Sequence, residues 1–292
     1  MSRDAAYALS SNHGADMTSP NNASRLHVVI PARYGSTRLP AKPLIELAGV
    51  PMIVRVYRRV REALGADAQI IVATDDSRIA TVLVDRGIPT LITDVQHQSG
   101  TDRTAEVARR LGWHPNDIVI NVQGDEPLIP TALLKEFVDF CVADPALLMG
   151  TIAAYVTERT HLHDPNVVKV VLNARGDAAL FSRSAVPHFR DLNPDQWPLS
   201  GFLRHIGIYA YRRDVIDTLT RAPVCVLERS EKLEQLRAIW LGIPIRVMTW
   251  PEAPPHGVDT WDDVQRVTDY LLAIAEVRHE QSRVCCVGRT RI

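Results

Sequence analysis

Apolar positions change period several times along the chain, and the changes divide it into elements. Leu26 to Ala32, apolar at Leu26, Val28 and Val29, predicts a buried strand. Pro51 to Leu64 places Ile53, Val56, Tyr57, Val60 and Leu64 on one helical face. The β-branched run Gln69 to Thr74 predicts a second strand, followed by a helix near Ser77 to Arg86 and a weak strand at Pro89 to Ile92. A helix over Thr101 to Leu111 and a strand over Asp117 to Val122 continue the order. Leu133, Leu134, Phe137, Val138 and Cys141 then share a helical face, and a strand follows around Met149 to Val156. Strands that alternate with helices imply parallel βαβ units.

From Asn166 the pattern shifts to short strands: "VVKVVLN", "AALFSR" and, beyond a loop rich in Pro and Asp, "RHIGIYAY". This stretch, about residues 166 to 225, predicts an antiparallel insertion, an arm or subdomain. A helix over Arg229 to Leu241, a strand over Ile245 to Thr249 and a last helix from about Thr260 to Val277 complete the series. Residues 25–277 therefore read as a single α/β domain. Residues 1–24, rich in Ser, Asn and Ala, read as a disordered extension, and residues 278–292 as a tail.

Composition narrows the function without choosing it. The 292 residues are 46% hydrophobic and 23% charged, enough to bury a sizeable core. Basic and acidic residues number 33 and 34, so any positive site is local, and no general affinity for nucleic acid or anionic membrane is implied. Cys141, Cys225, Cys285 and Cys286 form no CxxC, so neither a zinc ribbon nor a disulfide framework is indicated. No apolar run reaches the ~18 to 20 residues of a membrane span, and the first residues carry no secretory core; a cytoplasmic enzyme is the expectation.

Candidate chemistry gathers at the carboxyl ends of the predicted strands, where parallel sheets bind ligands. After the first strand comes "IPARYGSTRLPAKPL", with Arg33, Arg38 and Lys42 on a loop stiffened by Pro40 and Pro43 and relaxed at Gly35. Fixed positive charge with no carboxylate suits a polyphosphate, although it matches neither GxGxxG nor GxxxxGK[ST]. A solvated basic turn is the plainer alternative. "QGDEP" places Asp125 just past a buried strand, where a carboxylate suits Mg²⁺ or, alternatively, caps the next helix. Asp259 in "HGVDTWDD" is a second candidate ligand, or a support for the helix start that Thr260 and Asp263 suggest. A cationic loop and two carboxylates at strand ends together favour phosphoryl chemistry.

"HQSGTDRTAEV" offers Ser99 or Thr101 as a helix N-cap beside Gly100, able to read a ligand or merely to cap. His205 and Tyr209, four apart on a strand, share a face that is either a pocket wall or core. Glu234 and Gln235 sit in "LERSEKLEQLR", by itself a charged amphipathic helix. His161 and His163 have no third spaced ligand and read as loop residues.

Taken in order, "VVIPARYGSTRLPAKPL", "VATDD", "HQSGTDRTAEV", "NVQGDEPLIP", "NVVKVV", "ALFSRSAVP", "RHIGIYAYR", "LEQLR" and "GVDTWDD" resemble the 3-deoxy-manno-octulosonate (KDO) cytidylyltransferase, or CMP-KDO synthetase, family over about residues 26 to 270. The resemblance implies a mostly parallel twisted sheet flanked by helices, of the nucleotide-diphospho-sugar transferase type, usually a homodimer paired through the antiparallel insertion. It implies a Mg²⁺-dependent reaction of CTP with KDO giving CMP-KDO and diphosphate, in lipopolysaccharide biosynthesis. It also implies residue roles. Ala32, Arg33, Gly35, Ser36, Arg38 and Lys42 would hold the triphosphate, Lys42 closest to the α-phosphate and, with Arg33 and Asp125, catalytic. Asp125 and Asp259 would ligate Mg²⁺, while Thr74, Asp75, Ser99, Arg103 and Gln123 would line the nucleotide pocket. Gln98, Arg183, His205, Tyr209, Glu234 and Gln235 would take the sugar acid. Gly35 stands where many members have Ala, and Ala41 where many have Gly. A sugar transferase with a DxD metal motif is disfavoured, because the corresponding turn reads "QGDEP".

Overall fold

Residues 25–36, 38–66 and 68–287 are described by a computed structural model, with side chains to Glu276. The predicted extension over residues 1–24 lies outside the described residues. The chain opens with β1 (Leu26–Ala32), a small hairpin of β2 (Glu46–Leu47) and β3 (Val50–Pro51), α1 (Met52–Leu64), β4 (Gln69–Thr74), α2 (Ser77–Val84), β5 (Thr90–Ile92) and α3 (Gly100–Arg110). It continues with β6 (Ile118–Asn121), α4 (Thr131–Ala143), β7 (Met149–Tyr155), the single turn α5 (Thr160–His163), β8 (Lys169–Leu172) and β9 (Ala178–Ser182). It closes with β10 (Leu203–Arg212), α6 (Arg213–Arg221), α7 (Val226–Glu231), α8 (Gln235–Trp240), β11 (Ile245–Trp250) and α9 (Trp261–Val287).

The main sheet runs β11-β7-β10-β6-β1-β4-β5, with β8 attached to β10 and β9 to β8. β1 is parallel to β4 and β6, β4 to β5, and β7 to β11, while β10 alone on that path runs antiparallel to both neighbours. Alternate residues of the central strands enter opposite cores, as strands covered on both faces must. Val28 and Ile30 pack with Ile53 and Val56 of α1, Ile79 of α2 and Phe137 of α4; Val29 and Ile71 pack with Val107 of α3, Ile216 of α6 and Leu236 of α8. A smaller cluster seats α9 through Val264 and Val267 against Leu39, Leu47 and Met52, which brings the last helix under the loop after β1.

Four differences separate the structure from the sequence reading. "RHIGIYAY", assigned to the insertion, is β10, a central strand wedged between β6 and β7. Only β8 and β9 extend away from the main path, so the antiparallel excursion is smaller than residues 166 to 225. The helix expected over Arg229 to Leu241 is two: Lys232 adopts a left-handed conformation (φ 55°, ψ 45°), closing α7 with its N–H on Glu228 O at 2.8 Å. No Gly or Pro marks that break, because the cap is a lysine. The helix α6 was not anticipated, and α9 runs to Val287, past Val277 where its apolar period fades.

Candidate active site

The carboxyl ends of β1, β4 and β6 open on one side of the sheet. After β1 the chain turns to β4 on one flank and later returns as β6 on the other, and that reversal leaves a crevice. The loop from Arg33 to Ala41 descends across it and ends in a turn of 3₁₀-helix, Lys42–Leu44, started by Ala41 at φ 56°, ψ 29°. This left-handed setting is the physical reason a glycine suits position 41.

Lys42 is aimed by that turn. Its Nζ donates to Asp125 Oδ2 at 2.6 Å and to Asp259 Oδ1 at 2.9 Å, and Arg38 Nη2 stands 3.3 Å from the same Asp259 oxygen. Burial opposes the charge on Lys42, but Asp125 and then Asp259 outweigh it and raise the ammonium above its ordinary value. Asp125 reaches this point because Gly124 lies against β1: a Cβ there would stand 2.6 Å from Pro31 O. The two carboxylate turns are also tied by backbone, Val258 N–H donating to Asp125 O at 2.9 Å. A Cβ on Gly257 would meet that carbonyl at 3.0 Å, so the approach depends on its absence.

Both alternative readings of the carboxylates resolve in favour of availability. Asp125 caps nothing, since α4 begins at Thr131 after Pro130. Thr260 and Asp263 do form a capping box, with Thr260 N–H donating to Asp263 Oδ2 at 2.9 Å and Asp263 N–H to Thr260 Oγ1 at 3.2 Å, which leaves the Asp259 side chain free to face Lys42. Neighbouring Glu126 is pushed up to about 8 by burial and by the charge of Asp125, against the opposing pull of Arg204 and Lys42.

Around this point lies a cavity of ≈330 Å³ lined by Ala32, Arg33, Ser36, Arg38, Lys42, His97, Gln98, Ser99, Arg103, Gln123, Asp125, Glu234 and Asp259, among others. A second cavity of ≈230 Å³ adjoins it, sharing Ser99, Gly100, Gln123 and Glu234, and is walled by Tyr209, Tyr211, Lys232, Gln235 and Arg237. Ser99 is the N-cap of α3, its Oγ accepting from Asp102 N at 3.0 Å, and Thr101 Oγ1 donates to Glu234 Oε2 at 3.0 Å across the seam.

Not every expected residue reaches a cavity wall. Gly35 does not line the larger cavity, and Thr74 is fully buried, its carbonyl accepting from Thr93 N–H at 2.8 Å. Asp75 faces the protein, accepting from Tyr34 N–H at 3.2 Å and from Arg103 Nη2 at 3.0 Å. Arg183 spends its guanidinium on Glu231 O and Pro165 O, both at 2.7 Å. His205 packs on Tyr209 with ring centroids 5.3 Å apart and turns its Nε2 to Thr151 Oγ1 at 3.0 Å. Because Thr151 Oγ1 already donates to Ile208 O at 2.8 Å, His205 Nε2 is the donor. Burial drops that imidazole to about 3, so it is neutral. Conversely His97, Lys232, Tyr211 and Arg237 line the cavities without having stood out in the sequence. His97 lay inside the quoted "HQSGTDR" block, whereas Lys232 sits at the left-handed turn that closes α7, which no residue type in the sequence signals.

Comparison with known proteins bears on the family and the fold. The cytidylyltransferase family profile matches residues 27–245. A 3-deoxy-manno-octulosonate cytidylyltransferase 2 of Paraburkholderia phytofirmans is 58% identical over 262 residues, covering 90% of this chain and 100% of that protein. The chain belongs to the 3-deoxy-manno-octulosonate cytidylyltransferase family. Another member, from Polynucleobacter asymbioticus, is 46% identical over 87% of this chain and 99% of its own length. A solved CMP:2-keto-3-deoxy-manno-octonic acid synthetase complexed with CTP superposes with a TM-score of 0.78 at 40% identity, covering 86% of this chain and 99% of that one. The chain is accordingly a nucleotidyltransferase with the mostly parallel, helix-flanked sheet of that enzyme.

Proposed function

We propose that this chain transfers CMP from CTP to the anomeric hydroxyl of 3-deoxy-manno-octulosonate, releasing diphosphate and activating the sugar acid for lipopolysaccharide assembly. The observation that carries the reading is the meeting of Lys42 with Asp125 and Asp259 at the floor of one cavity that shares a wall with a second. The first is suited to a triphosphate, the second to a small polyhydroxylated acid. Family membership supplies the choice of CTP and KDO.

In this reaction Arg33, Ser36 and Arg38 bind the β- and γ-phosphates, and Lys42 holds the α-phosphate. Two of the three N–H groups of Lys42 serve the carboxylates and the third remains for a phosphate oxygen. Ser99, Gln98, Arg103 and Gln123 orient the nucleoside end, while Tyr209, Glu234 and Gln235 orient the sugar acid, with Arg183 and His205 supporting that wall from behind. The anomeric hydroxyl gives up its proton to solvent as its oxygen attacks the α-phosphorus in line, the bond to the bridging oxygen breaks, and diphosphate leaves. Holding two anions together for that attack is the main service of the fixed cations.

Asp125 and Asp259 fit Mg²⁺: they are hard oxygen donors converging within 2.6 and 2.9 Å of one point, the Lys42 nitrogen. Among the described residues no group of three or more His, Cys, Asp or Glu is placed to hold a metal ion, so these two carboxylates would be the protein's whole share of the ligands. When bound, Mg²⁺ supplies charge neutralisation at the phosphate oxygens. A homodimer in the cytoplasm completes the proposal; no described helix is long and apolar enough to cross a membrane.

The test is diphosphate release with CTP and Mg²⁺ in the presence of KDO or of sialic acid. Turnover with KDO at least a hundredfold above that with sialic acid supports the reading, and equal rates or none would overturn it.

A further inference from the structure

We propose that Asp75 is a positioning residue, one that holds the phosphate loop and the arginine at the nucleoside end of the cavity as a single unit; the inference rests on the cytidylyl-transfer reading above. Thr74 pairs with Ala32 in the parallel ladder, so β1 and β4 end side by side, and Asp75 emerges next to the start of the loop. One carboxylate oxygen accepts from Tyr34 N–H at 3.2 Å, and the other accepts from Arg103 Nη2 at 3.0 Å. The Asp75 and Arg103 side chains are 16% and 3% exposed, so this ion pair is largely withdrawn from water.

Arg103 and Arg33 line the larger cavity, whereas Asp75 does not. With both oxygens committed to protein donors, Asp75 acts on a ligand only through them. The adjacent residue adds a second hold. Asp76 grips Arg78 at 2.6 Å, and the Arg78 guanidinium lies over the Tyr34 ring at 3.5 Å from its centroid. The segment after β4 therefore fastens the loop entrance at the backbone and at the ring, and the Asp75 carboxylate, together with Thr93 Oγ1, which accepts from Arg103 Nη1, fixes the arginine across the cavity. Triphosphate and nucleoside contacts are thereby set at one mutual spacing.

Asp75→Ala removes both contacts of the carboxylate, to Tyr34 N–H and to Arg103, and leaves the Asp76–Arg78 hold on the Tyr34 ring in place. Asp75→Asn, with its carbonyl oxygen on Tyr34 N–H, keeps the loop anchored but turns an NH₂ toward Arg103, donor facing donor. Binding of CTP and of inorganic diphosphate, followed by calorimetry on folded protein and compared with KM and kcat, separates the two. Asp75→Ala is expected to weaken both ligands at least tenfold. Asp75→Asn is expected to weaken CTP at least fivefold and diphosphate less than twofold, with KM rising more than kcat falls. If both variants bind CTP within twofold of wild type, or if Asp75→Asn weakens the two ligands equally, the inference is overturned. Should Asp75→Ala fail to fold, the Asn variant alone carries the test. Wild-type protein that bound neither ligand would refute the cytidylyl-transfer reading itself, which is a different result from a silent variant.

Discussion

At the scale of single residues the site is a balance of charge at one point. Lys42 holds its proton because two carboxylates face it, and the carboxylates lie close together because Lys42 lies between them. Lys42→Ala is expected to lower kcat by about a hundredfold or more, the range seen when one preorganised donor to developing charge is lost. The KM for the sugar acid should change far less, and steady-state kinetics with each substrate varied in turn checks both. Asp125→Asn should cut turnover by about a hundredfold and shift the Mg²⁺ requirement upward, with the thermal melt little changed because Lys42 retains Asp259. Near-wild-type diphosphate release at limiting Mg²⁺ would remove Asp125 from the proposed metal site. These residues were legible in the sequence because unpaired charges at strand ends are conspicuous there. Less legible was what each charge touches. Asp75 and Arg183 look like ligand residues by position, yet both are consumed by protein donors or carbonyls in contacts that only the folded chain brings together.

At the scale of elements, the parallel βαβ run was readable because each strand and helix has its own period and conventional punctuation. What escaped was set by tertiary contact. β10 alternates like a half-exposed strand but is sandwiched between β6 and β7; His205 and Tyr209 still share a face, their rings 5.3 Å apart, across a register irregularity with β7 between Ile206 and Tyr209. α7 and α8 part at a lysine rather than a glycine. The closest element contact that matters to function is between the turn after β6 and β1. Gly124→Ala should therefore cost about 2 kcal/mol, since the added methyl would meet the Pro31 carbonyl oxygen at 2.6 Å and a backbone atom cannot step aside cheaply. For a chain of this size that is a fall of roughly 3 to 4 °C in Tm. Gly35→Ala is the control: nothing lies within 4 Å of its added Cβ, so its melt should match wild type.

At the scale of the whole molecule, the two edges of the sheet divide the work. The carboxyl edge gathers cations and carboxylates at the cavity, while the opposite edge is fastened by one buried aspartate. Asp117, at the start of β6, accepts from Arg25 N–H and His114 N–H, both at 2.9 Å, and meets His27 Nε2 at 3.1 Å, while the His27 ring stacks on Trp113 with centroids 4.0 Å apart. Burial alone would raise the Asp117 carboxyl, but the Arg25 N–H, the His27 ring and the His114 N–H together pull it below its ordinary value. A depressed carboxyl contributes stability that is fully present above its unfolded value, near ~3.9, and is lost as pH falls through the folded one. Asp117→Asn should thus lower the unfolding free energy by about 2 kcal/mol at pH 7, the scale of charge-assisted hydrogen bonds lost. That difference should shrink toward zero as the pH is taken down through the acid range, because there the wild-type carboxyl is protonated too. Urea unfolding of both proteins at pH 7 and in acid measures it, and a difference that stayed constant would assign the loss to packing instead. The KM for CTP should not move, since Asp117 lies six residues from Gln123, roughly 20 Å along an extended strand from the cavity.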